Sequence, residues 1–220
     1  PHVLLNGAEG IGTGWSTFVP NYNPRDVVEN LRRRMAGEEY VPMTPWYRGF
    51  VGTIEHSAAD RFRVLGNATQ LDERTWEITE LPVRVWTSSY KEWLEERVVG
   101  SDKTPSTLRE YKEYHTDTTV HFVVELNSRG EEEIARVGPE AFFKLSTVIS
   151  TGNMVLFNPE GKIKKYASPL EILDDFYFLR LGFYQRRKEH LVDQLKLVYD
   201  RLSNQARFVS MIISKELSVS

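Results

Sequence analysis

The stretch Asn6-Gly7-Ala8-Glu9-Gly10-Ile11-Gly12-Thr13-Gly14-Trp15-Ser16 sets four glycines around one branched aliphatic side chain. Glycine-rich loops usually bring a backbone close to a phosphate, since they lack a Cβ and offer main-chain N–H groups. Ile11 does not fit that use. It has no polar atom, so it either packs inside a tight turn or is pushed into something apolar. The residues alone leave both readings open. The string Gly10-Ile11-Gly12-Thr13-Gly14 superficially looks like the dinucleotide fingerprint, but the strand, helix and later acidic residue that the fingerprint needs are not in place.

On the C-terminal side of this loop, Asn23-Pro24 opens a helical stretch with Val27, Val28 and Leu31 as its apolar stripe and Gly37 as its stop. Residues 40–50, with two prolines and four aromatic rings, read as a packed loop. Three β-like runs follow, Phe50–Glu55, Arg61–Gln70 and Thr75–Glu80. A helix capped near Thr87 or Ser88 is expected next, then a short helix in Thr104–His115. The strand after it alternates Val120, Phe122 and Val124 with His121 and Val123. A charged helical segment spans Glu131–Val137, and Met154–Tyr166 reads as a hairpin turning at Asn158-Pro159-Glu160-Gly161.

The end of the chain is different. Ser168, Pro169 and Glu171 form a helix start with a capping box, and no proline follows. Leu191, Leu195, Val198, Leu202, Val209 and Ile212 follow alternating three- and four-residue steps with one weak layer around Gln205 and Ala206, the seam of a coiled coil. A helix of about fifty residues would be about 75 Å long. It is expected to project, and its seam asks for a partner helix that this chain does not contain.

Composition bounds the function. The chain has 220 residues, ordinary apolar and charged fractions and a formal charge of −3 at pH 7, which excludes a uniformly cationic nucleic-acid coat but not a local basic face. Cysteine is absent, which suits a reducing intracellular compartment. No apolar run reaches membrane-span length, and the start at Pro1, in a strand-like stretch, reads as a piece of a longer chain. The five histidines are scattered, and there is no nucleophile elbow, phosphate-loop lysine or cysteine nucleophile. Paired carboxylates such as Asp174-Asp175 and Glu95-Glu96 fall on helix surfaces.

In chain order, NGAEGIGTGWST, PWYRGF, GTIE, EITELPVRVWT, MVLFNPEGKIKKY and FYQRRK resemble the eukaryotic type IIA DNA topoisomerases, over essentially all of residues 1–220. The stretches Gly100–His115 and Asn127–Phe142 carry no such signature. The resemblance implies an α+β fold, a mixed sheet-and-helix tower domain of the DNA breakage-reunion core over residues 1–167. A long projecting helix over 168–220 would follow, the outgoing arm of the coiled coil that carries the C-terminal gate. It implies a nuclear, homodimeric parent enzyme acting on double-stranded DNA, with no membrane. Such enzymes cut both strands through tyrosine phosphoesters, pass a second duplex through the break and reseal it with ATP and magnesium. The family's nucleophilic tyrosine and its neighbouring arginine precede the NGAEGIGTG motif, and the ATPase and metal-binding parts lie further upstream. No catalytic residue, metal site or bound cofactor is therefore carried onto this chain, which is expected to be inactive alone.

Family members push an isoleucine of this motif between base pairs, and here that position is Ile11. An apolar wedge unstacks a base step and kinks the duplex, at a cost of a few kcal/mol that extra backbone contacts offset. Asn6, Gly10, Gly12, Thr13 and Ser16 would contact the backbone beside it. By the same resemblance a second DNA surface is Lys144, Leu145, Ser146, Thr147, Val148, Ile149, Ser150, Thr151, Gly152 and Asn153, with Lys144 on phosphate and the hydroxyls as neutral donors. Lys162, Lys164 and Lys165 either add attraction or form a solvated turn, and Arg186, Arg187 and Lys188 read as a solvated helix face. The competing readings are a stand-alone architectural DNA-binding protein and a coiled-coil interaction scaffold.

Overall fold

The computed structural model describes residues 1–101 and 104–218. In chain order the elements are α1 (His2–Asn6), β1 (Ala8–Ile11), β2 (Ser16–Val19), α2 (Pro24–Met35), β3 (Thr53–Ala58), β4 (Arg61–Leu65), β5 (Asn67–Gln70), β6 (Thr75–Glu80) and α3 (Thr87–Val99). Then come β7 (Leu108–Glu113), β8 (Phe122–Leu126), α4 (Ser128–Val137), α5 (Pro139–Phe142), β9 (Ser146–Ser150), β10 (Met154–Phe157), β11 (Ile163–Tyr166) and α6 (Pro169–Ile213). The α+β class holds. All strand pairs are antiparallel: two hairpins, β1-β2 and β10-β11, a three-stranded sheet β3-β4-β9 and a four-stranded sheet β5-β6-β8-β7.

The largest core lies on the four-stranded sheet. Phe122, Val124 and Leu126 of β8 are buried together with Ile78, Leu94 and Phe143, so every second residue of β8 points inward, as period-two alternation requires. Tyr90 of α3 is buried there too, and its hydroxyl donates to the Phe143 carbonyl at 2.8 Å. The second β-like run breaks at Gly66 into strands of two different sheets. A Cβ at Gly66 would stand 2.3 Å from the Glu80 carbonyl oxygen, so only glycine lets the two sheets approach there.

Several local expectations are corrected. Residues 2–6 form a helix rather than a strand, with Leu4 buried beneath it. The short helix expected in Thr104–His115 is instead the strand β7. A bulge between Leu108 and Glu110 puts Leu108 opposite Leu126 and Tyr111 opposite Val124. It thereby shifts the alternation by one and leaves inward residues three apart, a spacing that mimics a helix. Helix α3 begins after Trp86 and has no side-chain cap, so Thr87 and Ser88 sit inside its first turn. Asn23, by contrast, caps α2 by accepting from the Arg25 N–H at 2.9 Å.

The chain divides into two compact units, Pro1–Glu171 and Ile172–Ser220, with the division inside α6. At the start of α6, Ser168 Oγ accepts from the Glu171 N–H at 3.3 Å and the Glu171 carboxylate accepts from the Ala167 N–H at 2.8 Å. This is a capping box displaced by one residue at its return bond. The helix is 45 residues long and ends at Ile213 instead of continuing to the last residue. Lys215 takes a positive φ of 61° and the Leu217 N–H reaches back to the Met211 carbonyl at 3.0 Å. A lysine stands where glycine usually marks this left-handed stop, so the sequence carried no stop signal. Val219 and Ser220, within the expected helix, lie outside the described residues, as do Asp102 and Lys103. Every seam residue from Leu191 to Ile212 is exposed or half-exposed.

Candidate nucleic-acid interface

The glycine loop is a β-hairpin. Strands β1 and β2 pair with Ile11 opposite Ser16, and the Gly12 N–H donates to the Trp15 carbonyl at 2.9 Å to close the tip. That geometry rules out a dinucleotide-type strand-to-helix turn. At the base, Gly7 has φ of 69°, and a Cβ there would lie 2.7 Å from the Val19 carbonyl oxygen, so this glycine answers to the hairpin's own packing. Gly10 has no neighbour within 4 Å of where a Cβ would be. Nothing inside the protein demands glycine at that position.

Ile11 is 94% exposed at the tip. Of the two uses open to this side chain, packing in a tight turn is therefore excluded. An isoleucine held out in water is unfavourable unless something apolar covers it.

The hairpin is held by the segment that follows β9. The Phe18 N–H donates to the Asn153 carbonyl at 2.9 Å, Asn153 Nδ2 donates to Ser16 Oγ at 3.0 Å, and the Val155 N–H donates to Thr17 Oγ1 at 3.2 Å. The Trp15 ring meets Phe157 edge-on at 6.1 Å. Two stretches singled out separately in the sequence, 6–16 and 144–153, are thus joined through Asn153 and Ser16. On the other side of the hairpin Glu9 forms an ion pair with Arg84, whose guanidinium also lies 5.1 Å over the Phe18 ring. The Tyr47 phenol beside them is raised above its usual value, chiefly by burial; the Arg84 guanidinium opposes the shift and the Glu9 carboxylate adds to it.

Strand β9 divides the second candidate stretch by face. Ser146, Val148 and Ser150 are exposed, Val148 by 62%, while Leu145, Ile149 and Thr151 are buried and Thr147 is half-buried. Leu145, Ile149 and Thr151 are therefore removed as side-chain contacts: alternation along the strand turns them into the core. Thr151 Oγ1 instead donates to the Asp60 carbonyl at 3.2 Å. Gly152 is half-buried against Asp60, whose Oδ2 would lie 2.5 Å from an added Cβ. Lys144, at φ of 51°, sets its ammonium 5.0 Å over the Trp93 ring, so the cation is positioned rather than free-swinging.

Two residues outside the expected set share the exposed face. In register, Arg61 lies beside Ser150 and Arg63 beside Val148, and Arg63 Nε donates to Ser146 Oγ at 3.1 Å. Arg63 also pairs with Glu140, and Glu55 flanks it on β3. The signal was the alternation Arg61-Phe62-Arg63-Val64, whose apolar members are buried and whose arginines must then point outward. In the β10-β11 hairpin, Lys164 pairs with Glu171 at 2.9 Å, while Lys162 and Lys165 are exposed. Arg186, Arg187 and Lys188 are exposed on α6, with Arg186 5.0 Å over the Phe183 ring.

Among the described residues no group of three or more His, Asp or Glu side chains is placed to hold a metal ion, and the only glycine-rich loop is a hairpin tip without a phosphate-binding lysine. No helix among the described residues is long and apolar enough to cross a membrane.

A profile of the DNA gyrase/topoisomerase IV A-subunit family matches residues 1–220. The chain belongs to that family. Within it the chain is similar to eukaryotic members. It is 47% identical to DNA topoisomerase 2 of Penicillium chrysogenum over 220 residues, covering all of this chain and 14% of that protein. It is 50% identical to DNA topoisomerase 2-alpha of Homo sapiens over 210 residues, 95% of this chain and 14% of that protein. The crystal structure of the Plasmodium falciparum topoisomerase II DNA-binding, cleavage and re-ligation domain matches with a TM-score of 0.91 at 36% identity, covering 100% of this chain and 30% of that one. The chain thus spans about one-seventh of the length of the curated relatives it matches.

Proposed function

We propose that this chain is the part of a type IIA DNA topoisomerase that grips and bends the duplex being cut, within an ATP-dependent parent that relaxes and decatenates DNA by double-strand passage. The observation that carries this reading is an isoleucine standing 94% exposed at the tip of a hairpin hydrogen-bonded to Asn153, in the segment after β9, in a chain 50% identical to a DNA topoisomerase 2-alpha.

In this reading Ile11 enters a base step and unstacks it, and the resulting kink brings more backbone onto the protein. Gly10 and Gly12 let main-chain amides come close to the phosphates flanking the step, with Asn6, Thr13 and Ser16 beside them. Lys144, Arg61 and Arg63 supply cations, and Ser146, Ser150 and Asn153 supply neutral donors. These contacts fix position without reading bases. The rigid link from Asn153 to Ser16 keeps wedge and phosphate contacts in register, so insertion and bending occur together.

Residues 1–167 then act as the tower of the breakage-reunion core, and residues 168–220 as the outgoing arm whose exposed seam pairs with a returning helix of the parent homodimer. The nucleophilic tyrosine, magnesium and ATP sites belong to parts of the parent outside this chain, and the compartment is the nucleus. The test is plasmid relaxation by the parent protein. Passing one duplex through another changes the linking number in even steps, whereas rotation about a single-strand nick gives odd and even steps alike. Even steps that require ATP are expected, with none from this chain alone; odd steps, or relaxation by the chain alone, would overturn the assignment.

A further inference from the structure

Away from the DNA surface, a cavity of about 450 Å³ lies between α3, the segment 104–107 and α4. Arg97, Arg129 and Arg136 line it, with Glu132 and Glu133. Glu133 is already engaged by Arg97 at 3.0 Å, and the Arg97 guanidinium is pinned 5.2 Å over the Phe142 ring. Arg129 and Arg136 are exposed and make no ion pair among the described residues. The wall therefore carries an excess of cationic charge. Two donors on residues that line it, Arg97 Nε and the hydroxyl of Thr107, are buried without a partner among the described residues, Thr107 being only 2% exposed. Buried donors are normally satisfied, so the pair asks for an acceptor.

Thr104 lines the same cavity and is exposed. The chain has three hydroxyl residues followed by proline. Ser168 spends its hydroxyl on the cap of α6, and Pro45, after Thr44, is buried and bridged to Tyr22. Thr104-Pro105 alone presents both hydroxyl and proline ring to solvent, as a proline-directed protein kinase requires.

We propose that the cavity is a phosphate seat and that its occupant is the phosphoryl group of phosphorylated Thr104. The transfer forms the Thr104 Oγ1–P bond as the bond between the β-γ bridging oxygen and the γ-phosphorus of ATP breaks. The hydroxyl proton goes to the kinase's base, and ADP leaves. A phosphate brings close to two negative charges and three acceptor oxygens, matching guanidinium donors. On its other side Thr104 borders Glu92, Glu95 and Glu96, whose repulsion drives the phosphate toward the arginines. Seating it ties the link between α3 and β7 to α4.

The test uses the intact protein. Incubated with ATP and a proline-directed kinase, it is expected to yield a phosphopeptide at Thr104 that Thr104→Val lacks; absence of phosphate at Thr104 overturns the proposal. In the phosphorylated protein, amide exchange over residues 104–107 is expected to slow about ten- to hundredfold, the worth of charge-assisted hydrogen bonds. The exposed pair Arg129→Gln with Arg136→Gln should abolish that slowing after phosphorylation, and equal protection in this variant overturns the seat. Inorganic phosphate that protects Thr104→Val to the same degree would assign the cavity to a free anion and overturn Thr104 as its source.

Discussion

Replacing Ile11 by alanine separates folding from DNA bending. The side chain is 94% exposed, so the folded state loses almost nothing and stability should stay within about 0.5 kcal/mol, as at other surface sites. If Ile11 is the wedge, the loss appears only in the bent complex. Three carbons leave the base step, and at about 0.8 kcal/mol per buried CH₂ they are worth about 2.4 kcal/mol, a factor of about 60 in the ratio of bent to straight complex. The phosphate contacts proposed for Lys144 and the arginines of β4 would be untouched, so overall affinity and its salt dependence should fall much less. The assay is energy transfer between dyes at the two ends of a duplex, bound by the parent protein over a range of salt concentrations, with thermal unfolding as the control. A bend population unchanged in Ile11→Ala, with binding intact, would refute the wedge. A comparable loss of thermal stability would show that the side chain supports the fold instead.

Lys144→Ala should weaken binding about equally on all DNA sequences and reduce the slope of log affinity against log salt by about 0.9, one phosphate's share; a strongly sequence-dependent loss would place Lys144 on a base edge. Gly66→Ala should cost about 1–3 kcal/mol or more by denaturant midpoint, since the new Cβ meets the Glu80 carbonyl at 2.3 Å and neither sheet can retreat; a cost below about 0.5 kcal/mol would refute the tight junction. Burial raises the Tyr22 and Tyr90 phenols above the usual 10.0, and Tyr47 adds to the shift at Tyr22. The native state then holds protons that the unfolded chain releases, so stability should be flat below about pH 10 and fall above it. Tyr22→Phe, which removes a hydroxyl with no partner among the described residues, should lessen that alkaline loss at no cost near neutrality; an unchanged pH profile would contradict the buried phenol.

Patterns settled by near neighbours were legible in the chain itself. Asn23-Pro24 started α2, Asn158–Gly161 turned the β10-β11 hairpin, and the alternation about Phe122 marked β8 as a core strand. Caps and tight turns need only a few adjacent residues, and alternation or heptad spacing reports which face is apolar whatever covers it. The resemblance carried by the glycine motif and its companions likewise pointed to the right family.

Other features needed partners far away in sequence. The bulge in β7 copied helical spacing, and only pairing with β8 identifies it as a strand. The run Arg61–Gln70 reads as one strand until Gly66 passes between two sheets. Within Lys144–Asn153, the pairing of β9 with β4 decided that Ser146, Val148 and Ser150 face outward beside Arg61 and Arg63, while Leu145, Ile149 and Thr151 turn inward. Residue types could name Ile11 as unusual, but its exposure depended on how the hairpin seats, through a bond between residues 137 positions apart, Ser16 and Asn153. Local sequence determines the conformation an element prefers. Which of its faces meets solvent follows from the long-range contacts that bury the other.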